Sequence, residues 1–368
     1  MDLSSETIHA LLPLFLTTTL GVSVAVVGLI DGVAESTASI AKVFSGYISD
    51  HIGRRKPLIL LGYGLGALSK PLFPLAGTAA VVLGARFADR IGKGLRGAPR
   101  DALVADATPP EIRGRAFGLR QAMDTIGAFA GPLLAIGLMV LFANDMRAVF
   151  WAALIPAVLA VLCVVVGVED IPQGTGEARV PVRFADLKRL GRAFWSVVAF
   201  GVVFTLARFS EAFLILKASR EGLPLALTPL VLVVMNLVYA LGAYPAGALA
   251  DTRPPRDLLL AGLVCLILAD VALAFAPGAV GVFVGVALWG GHMALTQGLM
   301  TKLVADTAPA DVRGSAFGLF SLATGIAMLA SSVVAGLLWD RLGPAATFLA
   351  GGGFAVLAMR MLLVRRRS

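Results

Sequence analysis

Charged side chains recur inside the apolar stretches of the first half of this chain. Such residues are costly in an apolar environment and mark functional sites or buried pairs. The acids are Glu6, Asp31, Glu35, Asp89 and Asp124, and the bases are Lys42, Lys70, Arg86, Arg90, Lys93 and Arg120. Because the two signs nearly balance, we expect most of these side chains to form a buried network of ion pairs.

The spacing of these residues groups them on helix faces. Polar positions of segment 31–46 recur every three or four residues, and the basic residues of segment 86–93 share one face. Arg120 and Asp124 form an i,i+4 pair. Lipid offers such stripes no partner, so they must face a water-filled cavity or one another.

Fewer ionisable or polar residues of this kind occur in the second half. They are Arg208, Glu211, Asp270, His292, Gln297 and Arg360. The tripeptide FSE at 209–211 repeats SSE at 4–6, which makes Glu6 and Glu211 candidate symmetry mates. His292 fits either a packing role or proton transfer, and Lys70 and Lys217 are expected to extend outward along their apolar stems.

A proton can couple to the network if it breaks an acid–base pair, because the freed partner can then bind or release a solute. We take Glu35, Asp31, Glu6 and Asp124 as candidate carriers, with Arg120, Arg90 and Arg86 as their partners. Asp89, Arg208, Glu211 and His292 complete the candidate cavity.

The composition places these residues in a membrane protein. Of 368 residues, 58% are hydrophobic and 15% are charged, against about 25% charged in soluble domains. The net charge of +8 comes from basic residues that flank apolar spans, so it indicates a membrane rather than nucleic acid as partner. Cys163 and Cys265 lie in apolar runs, which argues against a disulfide framework or a metal site.

Apolar runs of membrane-spanning length predict an all-α protein with twelve spans. The spans are 3–20, 24–49, 57–76, 79–105, 114–142, 148–168, 194–217, 225–249, 257–277, 279–304, 314–338 and 345–364. Lys and Arg concentrate in the links after even-numbered spans, which predicts cytoplasmic termini. The first span begins almost at Met1 and would reach only about 27 Å, so we expect its native start to lie upstream.

The chain is a duplication. Residues 103–119 and 303–319 agree at eleven of 17 positions, and such a repeat at half the chain length indicates two related halves. We predict a six-helix bundle at 1–168, a linker with an interfacial helix at 169–193, and a second bundle at 194–368. The basic, amphipathic end of the linker is expected to lie on the lipid surface.

The link between spans 2 and 3 reads GYISDHIGRRKP and fits G-x-x-x-D-(R/K)-x-G-R-(R/K), except at His51. This loop resembles the signature of the major facilitator superfamily, and the twelve spans and the duplication agree with it. The resemblance implies two pseudo-symmetric bundles that rock around a central site, and a latch between them that contains Asp50. The alternative is that the loop only sets the orientation of the chain in the membrane, for which the basic residues alone would suffice.

The repeat places helix starts near the expected positions of Asp50 and its counterpart in GALADTRPPR. The candidate gate residues are Gly46, Asp50, Gly53, Arg54, Arg55, Arg113, Asp251 and Arg313. Near the end of span 11, GLLWDRLG repeats the loop pattern with Gly336 and Asp340, at the predicted outer face.

Two further motifs concern the type of transport. Span 4 has Arg90-x-x-Lys93-Gly94 where proton-coupled members often have R-x-x-Q-G, so Lys93 departs from the pattern. In span 5, G-x8-G-x3-G-P resembles the signature of drug/proton antiporters, although a plain packing face would show the same glycines. Its residues are Gly118, Gly127, Gly131 and Pro132.

The resemblance therefore implies a transporter of a small solute, and the span 5 motif favours a proton-coupled efflux antiporter. A proton symporter or uptake system for a polar, charged solute is the alternative that the density of internal charge favours. A non-transporting membrane sensor on the same fold is a remote third. No catalytic triad, metal-ligand cluster or phosphate-binding loop occurs in the sequence, so we expect no enzyme and no cofactor. We expect a monomer in a bacterial inner membrane, driven by the proton gradient.

Overall fold

The chain folds into α-helices that follow the predicted spans. A computed structural model describes residues 1–52, 54–109, 112–169, 189–296, 298–309 and 312–364. In the first half, besides a π-helical turn at Phe15–Thr19, the helices are α1 (Asp2–His9), α2 (Leu12–Leu14), α3 (Val24–Ile52), α4 (Lys56–Ser69), α5 (Leu72–Leu75), α6 (Ala79–Ala107), α7 (Arg113–Leu141), α8 (Met146–Ala152) and α9 (Leu154–Gly167).

The second half repeats this order. Besides a 3₁₀ turn at Leu225–Leu227, its helices are α10 (Arg192–Leu206), α11 (Ala212–Arg220), α12 (Leu230–Thr252), α13 (Pro255–Phe275), α14 (Gly278–Thr296), α15 (Leu299–Thr307), α16 (Arg313–Leu342) and α17 (Pro344–Val364). The described ranges contain no strand, and the predicted all-α polytopic fold class is confirmed.

Nine segments within the described ranges are long and apolar enough to cross a membrane. The three predicted spans outside that set are 3–20, 79–105 and 194–217. The first is divided into short helices, the second carries many charges, and the third is interrupted. All three contribute to the interior of the molecule, where polar residues find partners that lipid cannot supply.

The interruption of span 194–217 was not predicted. Helix α10 ends at Leu206 and α11 begins at Ala212, so residues 207–211 form a connection inside the bundle. The Ser210 hydroxyl accepts a hydrogen bond from the backbone N–H of Ala212 at 3.1 Å, which is the kind of local bond by which serine competes with a continuous helix. Both Arg208 and Glu211 lie on this connection.

The two halves meet closely at one end of the bundle. We call the end where α9 stops and α10 starts the linker end, and the opposite end the far end. An ideal Cβ on Gly336 of α16 would lie 2.6 Å from the Cα of Ala25 on α3, and one on Gly28 would collide with the carbonyl of Ser332. Towards the linker end the contact loosens, because a Cβ on Gly325 would come no closer than 3.7 Å to α3.

Glycines of α7 form a groove that receives α1. An ideal Cβ on Gly127 would lie 3.1 Å from the Cβ of Asp2, and one on Gly131 would lie 3.0 Å from the backbone nitrogen of Thr7. The Thr7 hydroxyl also donates to the Gly131 carbonyl at 3.2 Å. Helix α7 continues through Pro132 to Leu141. The surroundings of Gly118 lie outside the described residues.

Most of the predicted linker, residues 170–188, lies outside the described residues, as do residues 365–368. The interfacial helix therefore stays a prediction, and so do the boundaries of the two bundles. Helix α10 begins at Arg192, two residues before the predicted start of the second bundle.

Candidate substrate cavity and charge network

A cavity of about 460 Å³ lies between the two halves. Its walls from the first half are Glu6, His9, Glu35, Arg90, Lys93, Gln121, Asp124, Thr125 and Ala128. From the second half they are Arg208, Phe209, Ser210, Glu211, Asn236, Tyr239, Trp289, Met293 and Met328. The first-half wall is thus mostly charged, whereas the second combines polar groups with aromatic and methionine side chains.

In the first half, acids of α3 form ion pairs with arginines of α6. Arg90 Nη2 lies 3.3 Å from Glu35 Oε1, and Arg86 Nη2 lies 3.0 Å from Asp31 Oδ1 and 4.0 Å from Glu35 Oε1. The Arg86 and Asp31 side chains are 1% and 3% exposed, whereas Glu35 is 39% exposed. Glu35 is therefore the acid of this group that meets solvent.

His9 of α1 joins the same group through its ring nitrogen. Its Nδ1 lies 2.9 Å from Arg86 Nη2. A guanidinium can only donate hydrogen bonds, so Nδ1 must be the acceptor. The ring is then neutral, with its proton on Nε2.

One hydrogen bond of this network crosses from the second half to the first. The Ser210 hydroxyl on the 207–211 connection donates to Asp31 Oδ2 at 2.8 Å. Since Asp31 also accepts from Arg86, a rotation of one half against the other would change the surroundings of a buried ion pair.

A second cluster lies towards the linker end. Arg120 Nη1 is 2.9 Å from Asp124 Oδ2 and 3.3 Å from Asp101 Oδ1. Arg100 Nη2 is 3.2 Å from Asp124 Oδ2. These side chains are between 22% and 29% exposed, so solvent screens them more than the Arg86–Asp31 pair.

The second half contributes an acid and a base to the cavity wall. Glu211 and Arg208 both line it, as does Glu6 of the first-half wall. His292 does not line the cavity, which corrects the expectation that it could belong there. Its Nδ1 is 2.8 Å from the Gly262 carbonyl and its ring lies against Phe204, which fixes it in a packing position.

Two lysines expected to point outward are instead paired. Lys70 is 1% exposed because its Nζ lies 2.8 Å from both Asp89 Oδ1 and the Ser5 hydroxyl. Lys217 Nζ lies 2.5 Å from Glu221 Oε1. This bond and a second from the Gly278 N–H lower the pKa of Glu221, a residue of the far-end connection after α11.

The predicted gate residues are only partly described. Arg55 is buried and links two helices of the first half, since Nη1 donates to the Ser49 hydroxyl at 2.9 Å and Nε lies 3.4 Å from Asp106 Oδ2. Arg54 is exposed, and Gly46 faces Ala98 of α6, 3.4 Å from an ideal Cβ. Gly53 and the side chains of Asp50, Asp251, Arg113 and Arg313 lie outside the described residues, so their latch role stays a prediction.

An acid at the far end forms the kind of latch that was expected of Asp50. Asp340 of α16 accepts hydrogen bonds from the backbone N–H groups of Val24 at 3.1 Å and Ala25 at 2.8 Å. These are the first amides of α3, where a carboxylate is favoured by the helix dipole. The far end is closed in this way, and the contact between α3 and α16 widens from there towards the linker end.

Asp340→Ala is expected to shift the protein towards conformations open at the far end. A lost helix cap costs about 1 kcal/mol, or roughly a fivefold change in population. Electron spin resonance distances between labels at Ser23 and Leu342, in a Cys163→Ala, Cys265→Ala background, would measure the shift. Asp145→Ala is the control, because Asp145 caps α8 within one half; an equal shift in both variants would contradict a latch between the halves.

Several wall residues were not predicted from the sequence. Neutral polar residues such as Ser210, Asn236 and Gln121 carry no signal that separates a cavity position from a buried hydrogen bond. The sequence offers a clue only for Ser210, which aligns with Ser5 where FSE at 209–211 repeats SSE at 4–6. Lys93 belongs to the bases expected in the network, and the structure brings it and His9 to the wall.

The family model described as Major Facilitator Superfamily matches residues 1–331 and 222–368 of the chain. An uncharacterized MFS-type transporter of Methanocaldococcus jannaschii is 30% identical over 98% of this chain and 91% of its own length. The tetracycline resistance protein, class C, of Escherichia coli is 28% identical over 80% of this chain and 78% of its own. A crystal structure of a D-xylose-proton symporter superposes with a TM-score of 0.73 at 17% identity, covering 98% of this chain and 92% of that one, which shows a shared fold.

Proposed function

Since the chain belongs to the major facilitator superfamily, and is therefore a multi-pass membrane transporter of a small solute rather than an enzyme, we propose that it is a proton-coupled efflux antiporter. Alternating access would expose the central cavity first to one side of the membrane and then to the other. The similarity to a tetracycline resistance protein supports the direction, because a transporter can confer resistance by moving a compound out of the cell.

The observation that carries the proposal is the ion pair in the cavity wall between the partly exposed Glu35 and the buried Arg90, backed by the buried pair Asp31–Arg86. A proton that binds Glu35 removes the charge that holds Arg90. Arg90 is then free to rearrange, and the change passes through Arg86 and Asp31 to Ser210 on the other half. A solute that contacts the charged Glu35 and a proton that neutralises it thereby compete for the same carboxylate, as exchange requires.

The concentration of Lys and Arg in the links after even-numbered spans supports a cytoplasmic linker end. In that orientation the structure would be an inward-facing state, with Asp340 and the α3–α16 glycines closing the outer side. Lipid surrounds the monomer in an inner membrane, and the proton gradient supplies the energy without a bound cofactor.

A symporter for a polar, charged solute is the second candidate. Four charged residues of the cavity wall have no ion-pair partner within 4 Å in the described part of the chain: Glu6, Lys93, Arg208 and Glu211. Two acids and two bases so placed would suit a solute that itself carries charges. The two relatives described above are named as a transporter and as a resistance protein, so neither supports the sensor alternative.

Reconstituted vesicles separate the two candidates by the sign of the gradient. An acidic lumen should drive tetracycline into the vesicles if protons leave in exchange, whichever way the protein is inserted. An acidic exterior would instead drive uptake by symport, with D-xylose as a second probe. Accumulation only under an acidic exterior would overturn the antiporter proposal.

A further inference from the structure

Asp270 of α13 is a fully buried acid that the proposed mechanism does not use. Its exposure is 0%, and neither carboxylate oxygen has a hydrogen-bond partner among the described residues. A charged carboxylate in that position would lose its hydration and gain nothing in return, which is among the most unfavourable placements in a protein.

The carboxyl group points into a niche formed by a glycine of α17. An ideal Cβ on Gly351 would lie 3.1 Å from Asp270 Oδ2, 2.9 Å from Cε1 of Phe209 and 3.3 Å from the carbonyl oxygen of Ala207. Ala207 and Phe209 belong to the connection between α10 and α11. The acid therefore lies directly behind the connection whose other side chains line the cavity.

No cation reaches this niche from the helices packed against α13, as far as they are described. His292 of α14 bonds Gly262, eight residues or about 12 Å along α13 from Asp270. Arg360 of α17 lies nine residues beyond Gly351, about 13 Å along that helix. Arg208 of the connection lines the cavity, as does Tyr239 of α12.

We propose that Asp270 is a second proton-binding site and that it holds a proton in this conformation. This inference rests on the proposed proton-coupled transport. A proton from water forms an O–H bond with one carboxylate oxygen and cancels its charge. The neutral acid can stay in the dry niche, which the Ala207 carbonyl oxygen also borders. A metal ion fits poorly, since hard cations take about six oxygen ligands and the niche offers a single carboxyl, one carbonyl and a phenyl ring.

The position of Asp270 explains how its proton would act on the cavity. When the proton returns to water, the carboxylate must gain solvent or a cation, and the 207–211 connection stands in the way. Movement of that connection displaces Phe209, Arg208 and Ser210 together. Ser210 donates a hydrogen bond to Asp31. Loss of the proton from Asp270 in the second half therefore disturbs the Asp31–Arg86 pair in the first half.

Infrared spectroscopy of the purified protein tests whether the site holds a proton. The wild type minus Asp270→Asn spectrum at neutral pH should contain the carbonyl stretch of a protonated carboxylic acid, shifted in D₂O. Asp257→Asn is the matched control, since Asp257 is an exposed acid in the first turn of the same helix, and its difference spectrum should lack the band. Absence of the band in the Asp270→Asn difference would overturn the proposal.

Transport by the same variant tests the coupling. Asp270→Asn should still exchange tetracycline when no pH gradient is present. Under a gradient of one pH unit, its accumulation of tetracycline should be about tenfold lower than that of the wild type. Unchanged accumulation would overturn the coupling role, while a wild type that accumulates nothing would refute the proposed function and leave the infrared result to decide the site. If Asp270→Asn does not insert, Gly351→Ala is the second variant, because it keeps the acid and places a methyl group 3.1 Å from Asp270 Oδ2. The carbonyl stretch of the protonated acid should then shift relative to the wild type. An unshifted band would count against the niche.

Discussion

Arg86→Met should destabilise the protein by about 3–5 kcal/mol, the range for breaking a buried ion pair. Asp31 would keep its charge at 3% exposure with only the Ser210 hydroxyl as partner, and His9 would lose the donor to its Nδ1. Unfolding by denaturant or heat in detergent, at constant lipid and pH, would measure the change. The Lys70–Asp89 pair is buried to the same extent, so breaking it should cost a similar amount.

Two comparisons make this result specific. Arg86→Met combined with Asp31→Asn should recover most of the loss, because the uncompensated charge is removed. Arg100→Met should cost under about 1 kcal/mol, since Arg100 and Asp124 are 24% and 29% exposed. If Arg86→Met were as stable as the wild type, Asp31 could not carry a buried charge there.

Glu35→Gln should abolish transport driven by a pH gradient while leaving insertion and folding intact. The amide keeps the shape of the side chain 3.3 Å from Arg90, but it cannot gain or lose a proton. For a one-to-one exchange, a gradient of one pH unit supports about tenfold accumulation, and that factor should fall to one. Tetracycline exchange without a gradient would show that the cavity still binds and moves the solute.

Asp124→Asn provides a parallel test at another acid of the cavity wall, and Glu35→Asp is the control that retains a titratable group. We expect Asp124→Asn to lose coupling and Glu35→Asp to retain part of it. Full coupled transport in both Glu35→Gln and Asp124→Asn would exclude these two acids as carriers.

The fold class, the positions of most spans and the presence of internal charge could be predicted because each depends on one segment at a time. A run of apolar residues has the length of a membrane, and positions three or four apart share a face whatever surrounds the helix. The Arg120–Asp124 pair could be predicted from the sequence for the same reason. The partners of Arg86 and Arg90 were not, because they depend on how α3 and α6 are rotated against each other.

The interior errors have a similar origin. Lys70 was assigned to the membrane surface because its stem is long enough, yet Asp89 and Ser5 lie close enough to hold it inside. The break at 207–211 has no proline or glycine to announce it, and depends on bonds from Ser210 and from Ser331, whose hydroxyl donates to the Arg208 carbonyl at 3.3 Å. Neither set of contacts can be derived from one span alone.

The far-end seal constrains how the sequence of this transporter can vary. At Gly28 and Gly336 every other residue would add a Cβ that meets backbone atoms of the opposite half. A substitution there would therefore prevent the far end from closing, rather than change how often it closes. Asp340 differs, because its side chain can be shortened, neutralised or lengthened while the helices still meet. Natural or engineered change in the balance between the two access states is therefore expected at this acid, with the glycines held invariant beneath it.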